Sequence, residues 1–162
     1  MGVRNYLIEG LSGTGKTSVC RELQRRGFHS INGDNELAYQ GDPQTGEPLE
    51  GFAHEHHIWN VEEVRALAAD QSHAVSFFCG GSRNFPRFIH LFDGVFVLDV
   101  DLETLIRRLA TRPEDEWGGR ASERAFAAHL HATKEDIPRI GVVIDATRPI
   151  ARVVDEILEK CQ

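Results

Sequence analysis

The sequence predicts an α/β fold of one domain, over residues 1–162, in which helices on both faces of a five-stranded parallel sheet form a three-layer sandwich. Short apolar runs recur along the chain, and the segments between them show the 3.6-residue spacing of apolar side chains that is typical of helices. Strands that alternate with helices in this way form parallel sheets. With 162 residues, 41% of them hydrophobic, the chain can bury one sizeable core but not two.

The predicted strands are short, largely apolar runs, a length that suits strands buried on both faces. They occupy residues 6–8, 28–31, 74–78, 95–98 and 142–144.

Capping residues mark the ends of the first two helices. The first helix begins at Lys16 and ends near Arg26, where Gly27 can adopt the left-handed conformation of a C-terminal cap. The second helix follows Asn60, whose side chain can accept a hydrogen bond from a backbone N–H of the first turn, and Glu63 completes a box-like capping pattern.

Similar signals place the last three helices. Asp101 opens the third helix, which carries Leu102 on its apolar stripe and ends before Pro113. Ser122 is expected to start the fourth helix. The fifth follows Pro149, a residue that favours the start of a helix, and its apolar face is expected to pack on the sheet.

One motif predicts a binding site. Residues 10–17, here called the phosphate-binding loop, read GLSGTGKT and match the pattern GxxxxGK[ST] in full, between the first strand and the first helix. Glycines let successive backbone N–H groups point at one cluster of anionic oxygens, and the helix that follows directs its positive dipole end there. A glycine-rich turn without a ligand is the alternative. The residues expected to bind a nucleoside triphosphate are Gly10, Ser12, Gly13, Thr14, Gly15, Lys16, Thr17 and Ser18, with Lys16 on the β- and γ-phosphates and Thr17 on Mg²⁺.

Composition argues against several kinds of partner. No apolar run reaches the roughly 18 residues of a membrane span, and the first residues lack the hydrophobic region of a signal peptide. We therefore expect a soluble cytoplasmic protein with no membrane partner. The net charge of −7 argues against a nucleic-acid partner, because phosphate contacts need clustered lysine and arginine. The oligomeric state stays open.

Among proteins with this loop, the sequence favours a small-molecule kinase. It lacks the Asn-Lys-x-Asp motif with which GTPases bind guanine, and we expect motor and AAA-type ATPases to need a longer chain. Over nearly its whole length the chain resembles the group of nucleoside and nucleotide monophosphate kinases and shikimate kinases. The motifs that carry the resemblance are the phosphate-binding loop, Asp34 after the second strand, Gly80-Gly81 after the third, an arginine-rich helix before a short polar segment, and Asp145-Ala146-Thr147 after the fifth strand.

This resemblance implies a P-loop NTPase fold with the kinase-type strand order 2-3-1-4-5. It also implies ATP as the phosphoryl donor, Mg²⁺ as a cofactor and a small molecule as the acceptor. An acceptor-binding insert is expected at about residues 36–72, and a lid at about residues 112–121.

Two acids are candidates for a role at the phosphates. Asp34 directly follows the second strand, at the sheet edge where open α/β folds bind ligands. In the resembling kinases a carboxylate here holds the acceptor hydroxyl or a Mg²⁺-bound water; the alternative is a turn aspartate bound to its own backbone. Asp99, at the end of the fourth strand, could hold Mg²⁺ instead, although Asp99 and Asp101 also suit the start of a helix. The choice between Asp34 and Asp99 stays open.

The segment after the third strand is a candidate for acceptor binding. Gly80 and Gly81 resemble the same point in shikimate-type kinases, where glycines let the acceptor approach the backbone. Arg83 would then hold an anionic or polyhydroxylated acceptor, and the alternative is a turn with a solvated arginine. Cys79 stands where nucleotide monophosphate kinases more often have an acid, which leaves the acceptor class open.

Arginines near the lid are candidates for charge stabilisation. Arg108 and Arg112 lie on or just past the third helix and are not needed by its apolar stripe, and Arg120 follows at the far side of the lid, so a closing lid could bring all three to the transferring phosphoryl group. Surface arginines paired with glutamates are the alternative. The resemblance also places Thr147 and Arg148 beside the adenine, with Arg112 on its other face, whereas a plain strand-to-helix turn would serve the fold alone.

The segment GFAHEHHIWN lies in the acceptor-binding insert. Its histidines, His54, His56 and His57, look like metal ligands, but their spacing does not match HExxH. We interpret Phe52 and Trp59 as lining the acceptor pocket, with His57 contacting the substrate. A partly exposed helix start with ordinary histidines is the alternative.

The sequence thus predicts an ATP-dependent phosphotransferase that acts on a nucleoside, a nucleotide or a shikimate-like polyol. The alternatives are a nucleotide-binding switch or regulatory NTPase with a macromolecular partner, and a kinase of nucleic-acid ends, which would need a basic track.

Overall fold

The computed structural model describes residues 3–161, so the expectation about the first residues lies partly outside the described part. Within it the chain forms seven strands: β1 (Arg4–Gly10), β2 (His29–Asn32), β3 (Ala38–Gln40), β4 (His57–Trp59), β5 (Val75–Cys79), β6 (Gly94–Asp99) and β7 (Val142–Asp145). The helices are α1 (Lys16–Arg25), α2 (Gly33–Glu36), α3 (Val61–Ala69), α4 (Leu102–Ala110), α5 (Ala121–Thr133) and α6 (Ile150–Lys160), with short 3₁₀ turns at His54–His56, Phe85–Arg87 and Ile89–Leu91.

Five strands form the main sheet in the order β2-β5-β1-β6-β7, and all neighbours pair in parallel. Counted along the chain as strands of this sheet, that order is 2-3-1-4-5, so the predicted fold and strand order are confirmed. The phosphate-binding loop and α2 follow the carboxyl ends of β1 and β2, which lie one strand apart across β5. This strand order therefore brings the loop and Asp34 to one edge of the sheet.

A small antiparallel hairpin of β3 and β4 lies outside the main sheet and was not predicted. It occupies part of the insert at residues 36–72, where its two strands pair Tyr39 with Ile58 and Ala38 with Trp59. Aromatic and β-branched side chains favour such pairs. The insert is therefore a hairpin followed by α3.

Side chains alternate between the two faces of the sheet along each strand, which divides the hydrophobic core into two clusters. In β1, Tyr6 and Ile8 belong to one cluster and Leu7 belongs to the other, because successive side chains of a strand point to opposite faces. The first cluster packs against α1, α4, α5 and α6, and the second packs against α3 and the 3₁₀ turns near Phe88. Helical segments therefore cover both faces, as predicted.

Most predicted helix ends are confirmed. The Asn60 side chain accepts from the backbone N–H of Glu63 at 3.1 Å, and Asp101 caps α4 through the backbone N–H of Thr104 at 3.2 Å. Gly27 has φ of 90° directly after α1, as its predicted left-handed cap role requires.

Two predicted details of the helices are wrong. Leu102 is 44% exposed, because it lies in the first turn of α4, before the helix meets the sheet. Ser122 lies inside α5 and does not start it. The N-cap is Arg120, whose backbone N–H donates to the Glu123 carboxylate at 3.3 Å.

No helix within residues 3–161 combines the length and the apolar composition that crossing a membrane requires.

Candidate active site

The phosphate-binding loop connects β1 to the N-terminus of α1. Gly10, Gly13 and Gly15 have φ of 153°, 91° and 104°, a region that only glycine adopts easily. At Gly10 a side chain would also collide with the backbone, because a Cβ there would lie 2.9 Å from the Leu98 carbonyl oxygen. The loop therefore has the backbone that phosphate binding requires, with the dipole of α1 directed at it.

A first cavity of about 520 Å³ opens over this loop. It brings together most of the residues that the sequence predicts for nucleotide binding. Its lining consists of Ser12, Gly13, Thr14, Gly15, Lys16, Thr17, Ser18, Asp34, Arg108, Arg112, Ala146, Arg148, Ile150 and Val153. Thr147 lies outside this lining, and its hydroxyl donates to the Asp145 carboxylate at 2.6 Å instead.

Two of the three predicted arginines lie at the first cavity. Arg108 donates to the carbonyl oxygens of Gly13 at 3.3 Å and Ala146 at 2.9 Å. Arg112 donates to the Ser12 hydroxyl at 2.8 Å and to the carbonyl of Trp117, in the predicted lid, at 2.8 Å. The structure therefore holds both guanidinium groups beside the phosphate-binding loop.

Arg120 is placed differently from Arg108 and Arg112. It is exposed at the start of α5 and lies outside the lining of both cavities, so the structure does not bring it to the phosphates.

A second cavity of about 260 Å³ adjoins the first. It contains most of the residues that the sequence predicts for substrate binding. Its lining consists of Gly10, Leu11, Ser12, Lys16, Asp34, Gln40, Phe52, Ala53, His54, His57, Gly81, Arg83, Trp117, Ala127 and Leu130.

Two predicted substrate residues lie behind this lining, and their expected role is corrected. Trp59 is buried, at 1% exposure, and stacks on Phe88, because β4 turns its ring into the core. Its indole Nε1–H donates to Asp34 Oδ1 at 3.3 Å, so Trp59 positions Asp34 and does not line the cavity. Gly80 has φ of 143°, and a Cβ there would lie 2.8 Å from the same Asp34 oxygen. Gly80 therefore makes room for the carboxylate. The aromatic residue that sequence reasoning missed in the lining is Trp117.

Asp34 is held in place by three donors, two from β4 and one from the segment after β5. Its Oδ1 accepts from His57 Nε2 at 2.9 Å, from the Trp59 indole and from the Gly81 backbone N–H at 3.3 Å. Partial burial raises the pKa of Asp34, but the hydrogen bond from His57 and the charge of Lys16 outweigh it and hold the pKa below its ordinary value. Asp34 is therefore ionised at neutral pH.

The two cavities share three of their lining residues. Ser12, Lys16 and Asp34 line both of them. The Lys16 Nζ donates to the carbonyl oxygen of Gly10, inside the loop. Burial lowers the pKa of Lys16, while the carboxylates of Asp34 and Glu9 oppose that shift. A molecule in one cavity can therefore touch a molecule in the other beside one ammonium group and one carboxylate.

Glu9 is a site residue that the sequence reasoning missed. It is 1% exposed, its carboxylate accepts from the Gly10 backbone N–H at 3.1 Å, and a Cβ at Gly81 would lie 2.8 Å from its Oε1. Burial raises its pKa from 4.5 to about 7, against the opposing charges of Lys16 and Arg83. The signal that could have found it is an acid within the buried first strand, directly before the first glycine of the loop.

We expect the variant Glu9→Gln to gain stability relative to the wild type as pH rises. Below pH 4.5 the wild-type carboxyl is protonated in both the folded and the unfolded chain. Between 4.5 and about 7 only the unfolded chain loses the proton, so the folded wild type loses stability. The difference in unfolding free energy should grow by about 3 kcal/mol from about pH 4 to about pH 9.

Urea denaturation of both proteins at the two pH values measures this difference. Glu36→Gln, which removes an exposed carboxylate, is the control. A parallel pH dependence of the unfolding free energy in Glu9→Gln and wild type would contradict the expectation.

A second group missed by the sequence reasoning joins the insert to the loop after α5. Asp136 Oδ2 lies 2.7 Å from His54 Nε2 and 2.8 Å from the Arg83 guanidinium. The imidazole of His54 also stacks on Trp117 in the predicted lid, with ring centroids 5.1 Å apart. His54, Arg83 and Trp117 line the second cavity, and Asp136 lies outside its lining.

The structure also bears on the expectation that the histidines of residues 51–60 look like metal ligands. Among residues 3–161, no group of three or more His, Cys, Asp and Glu side chains lies where it could hold a metal ion. His54 and His57 instead contact carboxylates, those of Asp136 and Asp34.

Asp34 is the better placed of the two acids considered for Mg²⁺. Asp34 and Thr17 line the first cavity together and offer the oxygen ligands that Mg²⁺ prefers. Asp99 lies outside both linings, and its carboxylate contacts Lys134 Nζ at 3.2 Å. Asp101 caps α4, so the helix-start role is confirmed for Asp101 and wrong for Asp99.

Comparison with known proteins yields a family and a fold. Residues 7–129 match the model of a family described as an AAA domain. Similar solved structures include a sugar kinase from Janibacter sp., with a TM-score of 0.58 and 19% identity over 97% of this chain and 93% of that chain. A gluconokinase from Sinorhizobium meliloti has a TM-score of 0.56 and 19% identity over 96% of this chain and 90% of that chain. A shikimate kinase from Bacteroides thetaiotaomicron has a TM-score of 0.58 and 15% identity over 98% of each chain. No curated protein sequence matches the chain.

These findings confirm one expectation and correct another. The resemblance to P-loop small-molecule kinases is confirmed at the level of the fold. The exclusion of AAA-type proteins by length is wrong, because the unit that bears this description fits within residues 7–129.

Proposed function

The chain belongs to the AAA domain family, and from this premise we propose that it is a kinase that transfers the γ-phosphoryl group of ATP to a hydroxyl group of a small molecule. The observation that carries the proposal is the meeting of the two cavities at Lys16 and Asp34. A hydrolase needs room for water only, whereas a second cavity of about 260 Å³ beside the phosphate site has room for an acceptor molecule.

The proposed reaction is an in-line displacement. ATP occupies the first cavity, and the acceptor places its hydroxyl oxygen next to the γ-phosphorus. An oxygen–phosphorus bond forms to the acceptor while the bond from the γ-phosphorus to the β–γ bridging oxygen breaks, and ADP leaves. The hydroxyl proton passes to the Asp34 carboxylate and from there to solvent. The low pKa of Asp34 keeps it ionised and able to accept that hydrogen bond.

Charge stabilisation in this proposal comes from groups already held at the first cavity. Backbone N–H groups of the phosphate-binding loop and Lys16 bind the β- and γ-phosphates, and Arg108 and Arg112 lie beside the transferring oxygens. Such preorganised donors stabilise the transition state without reorganising during the reaction. Thr17 would hold Mg²⁺, which would neutralise phosphate charge, and Asp34 serves as the proton acceptor.

Acceptor-dependent release of ADP tests the proposal. In a coupled assay with nucleosides, nucleotides and polyols, we expect at least one acceptor to raise the rate of ADP release well above the rate with ATP alone. The rise should vanish when Mg²⁺ is chelated. Steady ADP release that ignores every acceptor would contradict the proposal and favour a regulatory NTPase.

A further inference from the structure

The lysine and the arginine that line the second cavity both have another role or a partner. Among the described residues of its lining, the lysine and arginine side chains are those of Lys16 and Arg83. Lys16 also lines the first cavity, where the donor phosphates require its charge. Arg83 is therefore the permanent cation left for an acceptor.

The charge of Arg83 is neutralised by Asp136. The guanidinium donates to Asp136 Oδ2 at 2.8 Å, and the two side chains are 12% and 18% exposed. Partial burial raises the pKa of Asp136, but the hydrogen bond from His54 and the charge of Arg83 outweigh it and hold the pKa below its ordinary value. With both partners charged and shielded from water, little positive potential remains for a ligand.

A further carboxylate makes the cavity unfavourable for anions. Asp34 is ionised and lines the cavity. A phosphate or carboxylate on the acceptor would meet this group without a free cation to offset the repulsion.

The second cavity suits an uncharged alcohol better than an anion. The Asp34 carboxylate lines the cavity, so an acceptor hydroxyl can donate a hydrogen bond to it. The other part of the lining is apolar and includes Leu11, Trp117 and Leu130. These side chains suit a molecule with an apolar or flat face.

We propose that the second cavity takes an uncharged, hydroxyl-bearing acceptor with an apolar face, such as an unphosphorylated nucleoside, and that Asp136 excludes phosphate- and carboxylate-bearing acceptors by neutralising Arg83. The proposal rests on the kinase function proposed above and names its acceptor class. It also changes the role that the sequence predicts for Arg83, because Asp136 neutralises its charge and leaves none to hold an anionic acceptor.

Matched acceptor pairs test the proposal on the wild-type protein. Each pair differs by one charged group and keeps an accepting hydroxyl: adenosine and adenosine 3′-monophosphate, thymidine and thymidine 3′-monophosphate, which retain the 5′-hydroxyl, and shikimate methyl ester and shikimate. For the pairs that are phosphorylated, we expect kcat/KM to favour the uncharged member by roughly tenfold or more. Equal values, or a preference for the charged member, would overturn this proposal and leave the kinase function standing. Phosphorylation of no member by protein that binds Mg·ATP would overturn the kinase function and this proposal with it.

The variant Asp136→Asn tests the assigned residue. It should free the Arg83 charge and shift the ratio of kcat/KM toward the charged member by roughly tenfold. The matched control is Glu135→Gln, which removes the same charge from the neighbouring position, where the carboxylate is 52% exposed and lies 3.4 Å from His129. A shift no larger than that of the control would contradict the role of Asp136.

A double variant tests the proposal even if Asp136→Asn alone does not fold. Because Asp136→Asn leaves a buried guanidinium without its partner, it could lose stability. Arg83→Gln combined with Asp136→Asn removes both charges, and we expect it to keep the wild-type preference for uncharged acceptors. A double variant that prefers charged acceptors would overturn the proposal.

Discussion

Replacing Lys16 with alanine is expected to lower kcat/KM for phosphoryl transfer by roughly three orders of magnitude while the protein stays folded. Lys16 lines both cavities, so its ammonium group lies where negative charge develops on the transferring oxygens. Burial lowers the pKa of Lys16, which means that its charge does not favour the folded state, and its loss should not unfold the chain. Steady-state kinetics with saturating Mg·ATP, together with a thermal unfolding curve, measures both effects.

Lys160→Ala is the matched control for this experiment. Lys160 lies at the end of α6, with its Nζ 4.0 Å from Glu156, and it should leave kcat/KM unchanged. Unchanged kinetics in Lys16→Ala would remove Lys16 from the mechanism.

Replacing Asp34 with asparagine should lower kcat by a factor of about 10² to 10⁴, the range that a positioned proton acceptor contributes. The amide keeps the shape of the side chain but cannot take the hydroxyl proton. We expect a much smaller change in the affinity for ADP, because most of the first cavity is formed by the phosphate-binding loop. Single-turnover kinetics and calorimetric titration with ADP measure the two quantities separately.

Glu36→Gln is the control for the loss of charge at this position. Glu36 belongs to the same short helix, α2, as Asp34, and it is exposed and lies outside both linings. If Asp34→Asn and Glu36→Gln lowered kcat equally, a general effect of charge would explain the result, and Asp34 would have no special role.

The parts of the molecule that sequence reasoning predicted well depend on local pattern. The phosphate-binding loop is a continuous segment whose backbone is set by its own glycines, so its structure follows from eight neighbouring residues. The caps of α3 and α4 at Asn60 and Asp101 are also local, because each side chain bonds a backbone N–H three residues away.

The parts that it missed depend on distant contacts. Asp136 is 82 residues from His54 along the chain and 53 from Arg83, and no short motif records their meeting. The two tryptophans show the same limit. Both lie in or near predicted functional segments, but the packing of β4 buries Trp59, and Trp117 lines the second cavity instead. Which ring faces a ligand is decided by tertiary packing and not by position along the sequence.

No short motif in the sequence indicates that a carboxylate neutralises Arg83. Arg83 lies in the lining of the second cavity, but the aspartate that neutralises it comes from the loop after α5. The sequence predicts that Arg83 holds an anionic or polyhydroxylated acceptor. Because Asp136 neutralises its guanidinium, we instead expect the second cavity to prefer uncharged acceptors.

The fate of the γ-phosphoryl group tests the central claim most directly. Radioactively γ-labelled ATP is incubated with the protein, Mg²⁺ and the acceptor that most stimulates ADP release, and the products are separated. If the two cavities work as donor and acceptor sites that meet at Lys16 and Asp34, the label should appear in the acceptor in step with ADP formation. Label found in inorganic phosphate alone would contradict the account.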